Sequence, residues 1–364
     1  MKIIHCADLH LDSKMTANLT KEQAKTRKAE LLHTFCKMVD YAVEHQVRAI
    51  IIAGDLYDKK NISATAKNTV YQQIQNHPQI DFYYLKGNHD AESFLAGLEV
   101  IPENLKMFEH TWKTYDLGNV TITGVELDAE NVSSIYHTLL LDVEKFNMVT
   151  LHGQEVETAG RNKAEKISLR DLKNKGIDYL ALGHIHGYKQ ETLDARGIYC
   201  YPGCLEGRGF DECGEHGFVL LDIDEEQRSC KTVYVPFARR NLYTLPVDVT
   251  GCMTTTEIAE KIQRQMDKAE YNSDSLVKIV LEGQVDVECE KNMEFLQQQF
   301  ADDFYFLKIY DETRLYVNYQ DFALDESLKG EFVRKVLESD MDEEEKNILI
   351  RYGIQALAGE ELQS

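Results

Sequence analysis

No apolar run in this 364-residue chain reaches the roughly 18 residues that a membrane-spanning helix needs. The amino terminus also lacks a long apolar segment with a small-residue cleavage site, since Lys2-Ile3-Ile4-His5-Cys6-Ala7 already reads as a strand. Both absences lead us to expect a soluble, cytoplasmic protein with no membrane partner. Cysteine pairing is missing as well. The eight cysteines are scattered, none has C-x-x-C spacing, and Cys200, Cys204 and Cys213 fit no zinc ribbon. Free thiols in a reducing compartment follow. Positive charge is scarce: 40 Lys and Arg against 62 Asp and Glu give a formal net charge of −22. That argues against coating nucleic acid through a broad basic face. A nuclease survives the objection, because bound dications supply positive charge where a phosphate must sit. No internal repeat or low-complexity tract is present.

What is there is a chain with 43% hydrophobic residues, enough for a large core. Up to about residue 190, short β-branched and aromatic runs alternate with helical patterns. The strand candidates are Lys2-Ala7, Arg48-Ala53, Asp81-Leu85, Asn119-Val125, Asn147-Leu151 and Asp178-Leu182. Helices are expected from Thr20 to about Gln46, from Ser63 to Asn76, and from Ser168 to Lys175 with Gly176 as a stop. Alternation of this kind implies an α/β layered fold. Residues 191–240 read as strands between Gly-rich turns, a second sheet completing the same domain. We expect domains at 1–240 and 241–318, the latter a small α/β module, then an acidic helical segment at 319–364.

Five short clusters close the apolar runs: Asp8-Leu9-His10, Gly54-Asp55, Gly87-Asn88-His89-Asp90, His152-Gly153 and Gly183-His184-Ile185-His186. All stand at carboxyl ends of strands, the edge where open α/β sheets bind ligands. Residues two apart on a strand share a face, so Asp8 with His10, and His184 with His186, are each expected to aim at one point. The donors divide between two metals. Asp8, His10 and His186 hold the first, Asn88, His152 and His184 hold the second, and the two-oxygen carboxylate of Asp55 bridges them. Oxygen and nitrogen donors without thiolate suit Mn²⁺, Fe or Zn²⁺. Such a pair clamps a phosphoryl oxygen during in-line attack. His89 follows a ligand directly, which suits it to donate a proton to the leaving oxygen or to stabilise charge. Asp90 is expected to orient His89. Asp58 is open between an outer-layer role and a helix cap. His5 and Cys6 read as strand packing, and His33, His45, His77, His110, His137 and His216 as structural or solvated.

The pattern D-x-H, G-D-x-x-D, G-N-H-D, H, G-H-x-H resembles the calcineurin-like metallophosphoesterase superfamily. It stands here as Asp8-Leu9-His10, Gly54-Asp55-Leu56-Tyr57-Asp58, Gly87-Asn88-His89-Asp90, His152 and Gly183-His184-Ile185-His186. The resemblance implies a four-layer αββα metallophosphoesterase sandwich with a dinuclear metal site. Within the superfamily the chain is similar to SbcD-type DNA repair exonucleases, including the YhaO-like branch. His5 to Asp12, Gly54 to Asp58 and Tyr201-Pro202-Gly203-Cys204-Leu205-Glu206-Gly207-Arg208-Gly209-Phe210-Asp211-Glu212 carry this, with Cys204 in place of the usual Ser. The resemblance implies Mn²⁺, a DNA substrate, a capping domain at 241–318, a homodimer and an SbcC-like coiled-coil ATPase partner. It makes Lys59, Lys60, Arg161, Lys163, Lys166 and Arg208 candidates for phosphate contacts, and the first two helices candidates for the dimer interface. The leading expectation is a Mn-dependent DNA exonuclease or endonuclease. The alternatives are a phosphodiesterase or phosphatase acting on small nucleotides or other phosphoesters, and a subunit that chiefly scaffolds an ATPase.

Overall fold

Ala49-Ile50-Ile51-Ile52-Ala53 is apolar at every position, and it forms a strand buried on both faces. This strand, β2 (Ala49–Ala53), lies in a six-stranded sheet with β1 (Lys2–Cys6), β3 (Asp81–Leu85), β4 (Leu105–Met107), β13 (Gly217–Asp224) and β14 (Ser229–Pro236). The spatial order is β14-β13-β1-β2-β3-β4. β1 to β4 run parallel, and β13 turns antiparallel against β1. A second six-stranded sheet holds β5 (Lys113–Leu117), β6 (Val120–Gly124), β7 (Phe146–His152), β10 (Tyr179–Gly183), β11 (Lys189–Thr192) and β12 (Ile198–Tyr201). Its order is β11-β12-β10-β7-β6-β5, with a parallel centre and antiparallel edges. Between these, β8 (Gln154–Val156) and β9 (Lys166–Ser168) make a small parallel pair. The computed structural model describes residues 1–15, 19–58, 62–90, 100–157, 166–286, 289–316 and 325–358.

The sheets meet face to face. Ile3, Ile51 and Tyr83 from the first share a buried cluster with Ile122, Met148, Tyr179 and Ala181 from the second. Strand alternation turns Ile50 and Ile52 outward, against Leu31, Phe35, Met38 and Val39 of helix α1 (Lys21–Glu44) and Val70 and Ile74 of α2 (Ala64–Asn76). Both helices start where the sequence indicates. Thr20 and Gln23 form a capping box, and Ser63 accepts from the Ala66 N–H. On the far side, Ile135, Tyr136, Leu169 and Leu172 cover Val149, Leu151, Leu180 and Leu182. The result is the αββα sandwich, with a thin fourth layer.

Two details differ from expectation. The helix expected from Ser168 to Lys175 is one turn, α3 (Leu169–Leu172), and Ser168 makes no side-chain cap. Leu169 and Leu172 already bury the apolar side of that turn, and the chain then reverses through left-handed Asn174 and Gly176. The strands of 191–240 build no sheet of their own. β12 extends the second sheet beside β10, while β13 and β14 extend the first beside β1. Each thereby pairs its backbone with a sheet edge already formed.

The chain divides into Met1–Asn241 and Leu242–Ser364. The second unit contains a parallel sheet of β15 (Leu242–Asp248), β16 (Leu276–Glu282) and β18 (Phe306–Asp311). Helices α4 (Thr255–Ala269) and α5 (Met293–Phe300) pack against it through Ile258, Ile262 and Leu296. A short parallel pair, β17 (Gln284–Asp286) with β19 (Arg314–Tyr316), accompanies it. Helices α6 (Leu328–Leu337) and α7 (Glu343–Ala358) join through Val333, Val336, Ile350 and Ile354. Among the described residues, no helix is long and apolar enough to cross a membrane.

Candidate metal centre

The five clusters stand at or just beyond the carboxyl ends of β1, β2 and β3 of the first sheet and β7 and β10 of the second. The site therefore lies where the carboxyl edges of two sheets meet, not on one sheet alone. Strand alternation does not aim the paired ligands either. Asp8, His10, Asp55 and His184 all have left-handed backbones, with φ of 52°, 43°, 52° and 108°. Such conformations are unfavourable for non-glycine residues and persist where the surroundings fix them. Here the fixing bonds are visible: Asp8 N–H donates to the Gly54 carbonyl (3.1 Å), His10 N–H to Asp55 (2.9 Å) and Leu11 N–H to Leu56 (2.9 Å). Two glycines are required by contact. A Cβ on Gly54 meets His152 Nδ1 at 2.1 Å, and one on Gly87 meets Asp55 Oδ1 at 2.1 Å.

The donor atoms converge. His10 Nε2 and His186 Nε2 stand 3.3 Å apart. Asp55 Oδ2 lies 3.9 Å from His10 Nε2 and 3.4 Å from His152 Nε2, so one carboxylate oxygen spans both groups. Asn88 Oδ1 is 2.9 Å from His152 Nε2. Donor atoms of Asp8, His10 and His186 lie within 4.8 Å of one another, as do those of Asp8, Asp55 and His152. His184 closes the group from the other sheet. Its backbone N–H donates to both Asp8 oxygens at 3.0 Å, and its ring stands edge-on to His152 at 5.4 Å.

The ring nitrogens are oriented for a cation. His152 Nδ1 donates to the Ala53 carbonyl (2.9 Å), and His186 Nδ1 donates to Glu212 Oε1 (2.7 Å). Each bond turns Nε2 toward the centre, as metal-binding histidines require. Burial pushes the Asp55 carboxyl up, but His152, the His89 N–H and His10 outweigh it and hold it at about 2. Burial lowers His152, yet the bond to Asp55 and the charges of Asp8 and Asp55 raise it to about 9. Affinity for positive charge is thus concentrated at one point, where a metal ion competes with protons. Facing nitrogens, buried carboxylates and one amide oxygen fit two divalent ions of the Mn²⁺, Fe or Zn²⁺ kind.

His89 stands over this group, with its side chain about half exposed and its N–H donating to Asp55 Oδ1 at 2.9 Å. The carboxylate beside its ring is not Asp90. Asp90 is buried and accepts backbone N–H bonds from Leu56 (3.1 Å), Tyr57 (2.9 Å) and Gly87 (3.1 Å), so its oxygens are committed to the two ligand-bearing loops. Asp58 takes the place expected of Asp90. Its Oδ1 lies 3.7 Å from His89 Nδ1 and 3.4 Å from His10 Nδ1. Burial pushes Asp58 up, but the bonds from His10 and Ser13 and the charges of His10 and Arg208 hold it at about 2. The cap of α2 is Ser63, so the outer-layer role is the one Asp58 fills. His5 is a packing residue as expected, its Nδ1 2.9 Å from the Tyr179 hydroxyl, and burial lowers it to about 3.

The Tyr201–Glu212 stretch has a physical role that its sequence does not disclose. Tyr201 Oη donates to the Gly153 carbonyl (2.9 Å) and accepts the Glu155 N–H (2.8 Å), pinning the turn after His152. Cys204 N–H donates to the His186 carbonyl at 3.0 Å. Cys204 Sγ lies 3.2 Å from His216 Nδ1, and His216 Nε2 donates to the Glu212 carbonyl at 2.7 Å. A residue with a proton to give is therefore needed at 204, and thiol or hydroxyl meets that need. Arg208, expected among the phosphate contacts, is engaged elsewhere. Its Nη2 donates to Glu212 Oε1 (2.7 Å), and its Nη1 lies 3.5 Å from Asp58 Oδ1. Lys166 falls on β9. Lys59, Lys60, Arg161 and Lys163 lie outside the described residues.

Asp, His and Asn donors carried by the facing strand ends of an αββα sandwich define a dinuclear metallophosphoesterase, a hydrolase of phosphate esters. Residues 1–188 match the calcineurin-like phosphoesterase family, and the chain belongs to that family. It is similar to the metallophosphoesterase YhaO of Bacillus subtilis, at 27% identity covering 86% of this chain and 82% of that one. It is also similar to the DNA double-strand break repair protein Mre11 of Sulfurisphaera tokodaii, at 24% identity covering 78% of this chain and 73% of its relative. The SbcD component of the Escherichia coli nuclease SbcCD matches at 24% identity over 61% of this chain and 64% of its own length.

Proposed function

We propose that the chain is a metal-dependent DNA nuclease acting in repair, with Mn²⁺ as the working metal. The observation that carries this reading is the span of the similarity to Mre11, which covers 78% of the chain where the phosphoesterase family match ends at residue 188. The shared part thus extends past the bare hydrolase core. On this reading Asp8, His10 and His186 hold one ion, Asn88, His152 and His184 hold the other, and Asp55 bridges. When bound, the ions supply Lewis-acid charge to the phosphoryl group and activate water. His89 is the half-exposed group beside this centre, and it protonates the leaving oxygen. Asp58 faces it across 3.7 Å and orients the ring. Arg161 and Lys163 contact substrate phosphates, the second unit contributes further to DNA binding, and the chain works as a homodimer with a coiled-coil ATPase.

The second reading, a hydrolase of small phosphodiesters, draws support from the net charge of −22. One panel separates the two. Purified chain with Mn²⁺ is offered linear duplex, hairpin and single-stranded DNA beside a small chromogenic diester. Cleavage of DNA ends is the expected result. Turnover of the diester alone, with DNA left intact even in the presence of an ATPase partner, favours the second reading.

A further inference from the structure

Glu212 is 8% exposed, although its residue type is almost always at the surface. Both of its oxygens are used. Oε1 accepts from His186 Nδ1 (2.7 Å) and Arg208 Nη2 (2.7 Å), and Oε2 accepts the Arg208 backbone N–H (2.7 Å). Arg208 Nη2 also approaches His186 Nδ1 at 3.3 Å. A guanidinium only donates, so Nδ1 cannot serve both neighbours, and the shorter contact to the carboxylate identifies Nδ1 as the donor. The same segment holds the His186 backbone through the Cys204 N–H, so His186 is fixed at its carbonyl and at its ring. Arg208 then reaches across to Asp58, which faces both His10 and His89.

We propose that Glu212 and Arg208 form a positioning pair for the metal centre, with Glu212 setting the ring orientation of His186 and Arg208 coupling that ligand to Asp58. The proposal rests on the dinuclear reading of the site. It gives the Gly207–Glu212 segment a duty toward one ion. The ring that Glu212 holds belongs to the Asp8-His10-His186 set, while the His152 ring of the other set is held by the Ala53 carbonyl. It also explains why Glu212 can sit 26 residues beyond His186 and still belong to the centre. A carboxylate partner of this kind fixes the tautomer and raises the basicity of the metal-facing nitrogen.

The test is a calorimetric Mn²⁺ titration of the full chain, with thermal unfolding of each variant in chelator recorded alongside. Wild type is expected to bind two equivalents. Glu212→Gln keeps the shape and removes the charge; it is expected to weaken one of the two equivalents by about 10–100-fold and leave the other within about twofold. Arg208→Lys keeps a cation but loses the fork. It is expected to weaken the same equivalent by a smaller factor, and it serves if Glu212→Gln fails to fold. Arg196→Lys makes the same change in a guanidinium–carboxylate pair with Asp178, which holds no metal-site residue, and it is expected to bind as wild type does. Two unchanged equivalents in both Glu212→Gln and Arg208→Lys overturn the proposal. An equal weakening of both equivalents also overturns it, because the pair would then act on the fold as a whole. A wild-type chain that binds fewer than two equivalents sinks the dinuclear reading itself, a result distinct from either.

Discussion

Asp58 presents Oδ1 to His89 Nδ1 at 3.7 Å, and the same oxygen lies 3.4 Å from His10 Nδ1. One carboxylate therefore addresses a ring assigned to a metal and a ring assigned to proton transfer. Ser13 Oγ donates to its other oxygen at 3.0 Å, which fixes the carboxylate plane. Removing His89 is expected to lower the phosphoesterase turnover number by roughly 10²–10⁴-fold, the usual contribution of a positioned general acid. Metal binding in His89→Ala is expected to stay at two equivalents. Asp58→Asn is expected to reduce turnover less than His89→Ala does and also to weaken metal binding, because His10 loses its neighbour. Steady-state kinetics with equilibrium dialysis of both variants checks this. A His89→Ala protein with undiminished turnover contradicts the role given to His89.

Asp90 has a different duty, and its removal should be felt as instability. Its carboxylate collects three backbone N–H groups, those of Leu56, Tyr57 and Gly87. Alanine at this position leaves them unpaired in a buried setting, at about 1–3 kcal/mol for each group that water cannot reach. Asp90→Ala is expected to lower the urea midpoint clearly, with the slope unchanged, while His89→Ala leaves it near wild type. Equal midpoints for Asp90→Ala and His89→Ala exclude the loop-binding role.

The contrast between Asp90 and Asp58 marks how far the sequence is legible. The apolar run Ala49–Ala53 announces a buried strand, and Thr20 with Gln23 announces a helix start, because both signals are local. The cluster order is equally local, since each metal-site residue follows its own strand. Which carboxylate faces His89 depends on how the 54–58 turn folds over the 87–90 turn, and no spacing encodes that. Glu212 is harder still. It meets His186 only because β12 folds back to lie parallel beside β10, so the pair is a product of topology. The short edge strands β4 and β11 escape a reading of the sequence for a related reason. Their residues are largely half-buried or exposed, and pairing alone makes them strands.

Acid should release a tie between α1 and the end of the first unit. Glu30 accepts from Arg27 Nη1 at 2.7 Å and from Arg240 Nε at 3.0 Å and 3.1 Å. Burial pushes its carboxyl up, but the bonds and charges of Arg240 and Arg27 prevail and hold it below the ordinary glutamate value. A carboxyl depressed in the folded state adds stability above the unfolded pKa of about 4.3, and this is lost as pH falls through the folded value. Glu30→Gln is therefore expected to be less stable than wild type at neutral pH, and the gap should close on acidification below about pH 4. Chemical unfolding of both proteins across that range measures it. A gap that stays constant with pH means that the ionised carboxylate is not what the arginines hold.

Gly54 offers the sharpest test that backbone shape, and not only donor chemistry, makes the centre. Its φ is +95°, and an added Cβ meets His152 Nδ1 at 2.1 Å and Cγ at 2.6 Å. His152 must then swing away, breaking its bond to the Ala53 carbonyl and withdrawing Nε2 from Asp55 and Asn88. Gly118 supplies the comparison, because its φ is +69° but an added Cβ finds only Glu225 Oε2, at 3.5 Å. Both alanine variants bear backbone strain, and only Gly54→Ala displaces a metal-site residue. With metal at about 100 times its dissociation constant, each intact site should stabilise the fold by about 2.7 kcal/mol. Gly118→Ala is expected to keep the full metal-induced rise in melting temperature despite a lower starting point. Gly54→Ala is expected to lose at least the share belonging to the His152 site. Equal rises in the two variants would mean that His152 contributes nothing to metal binding.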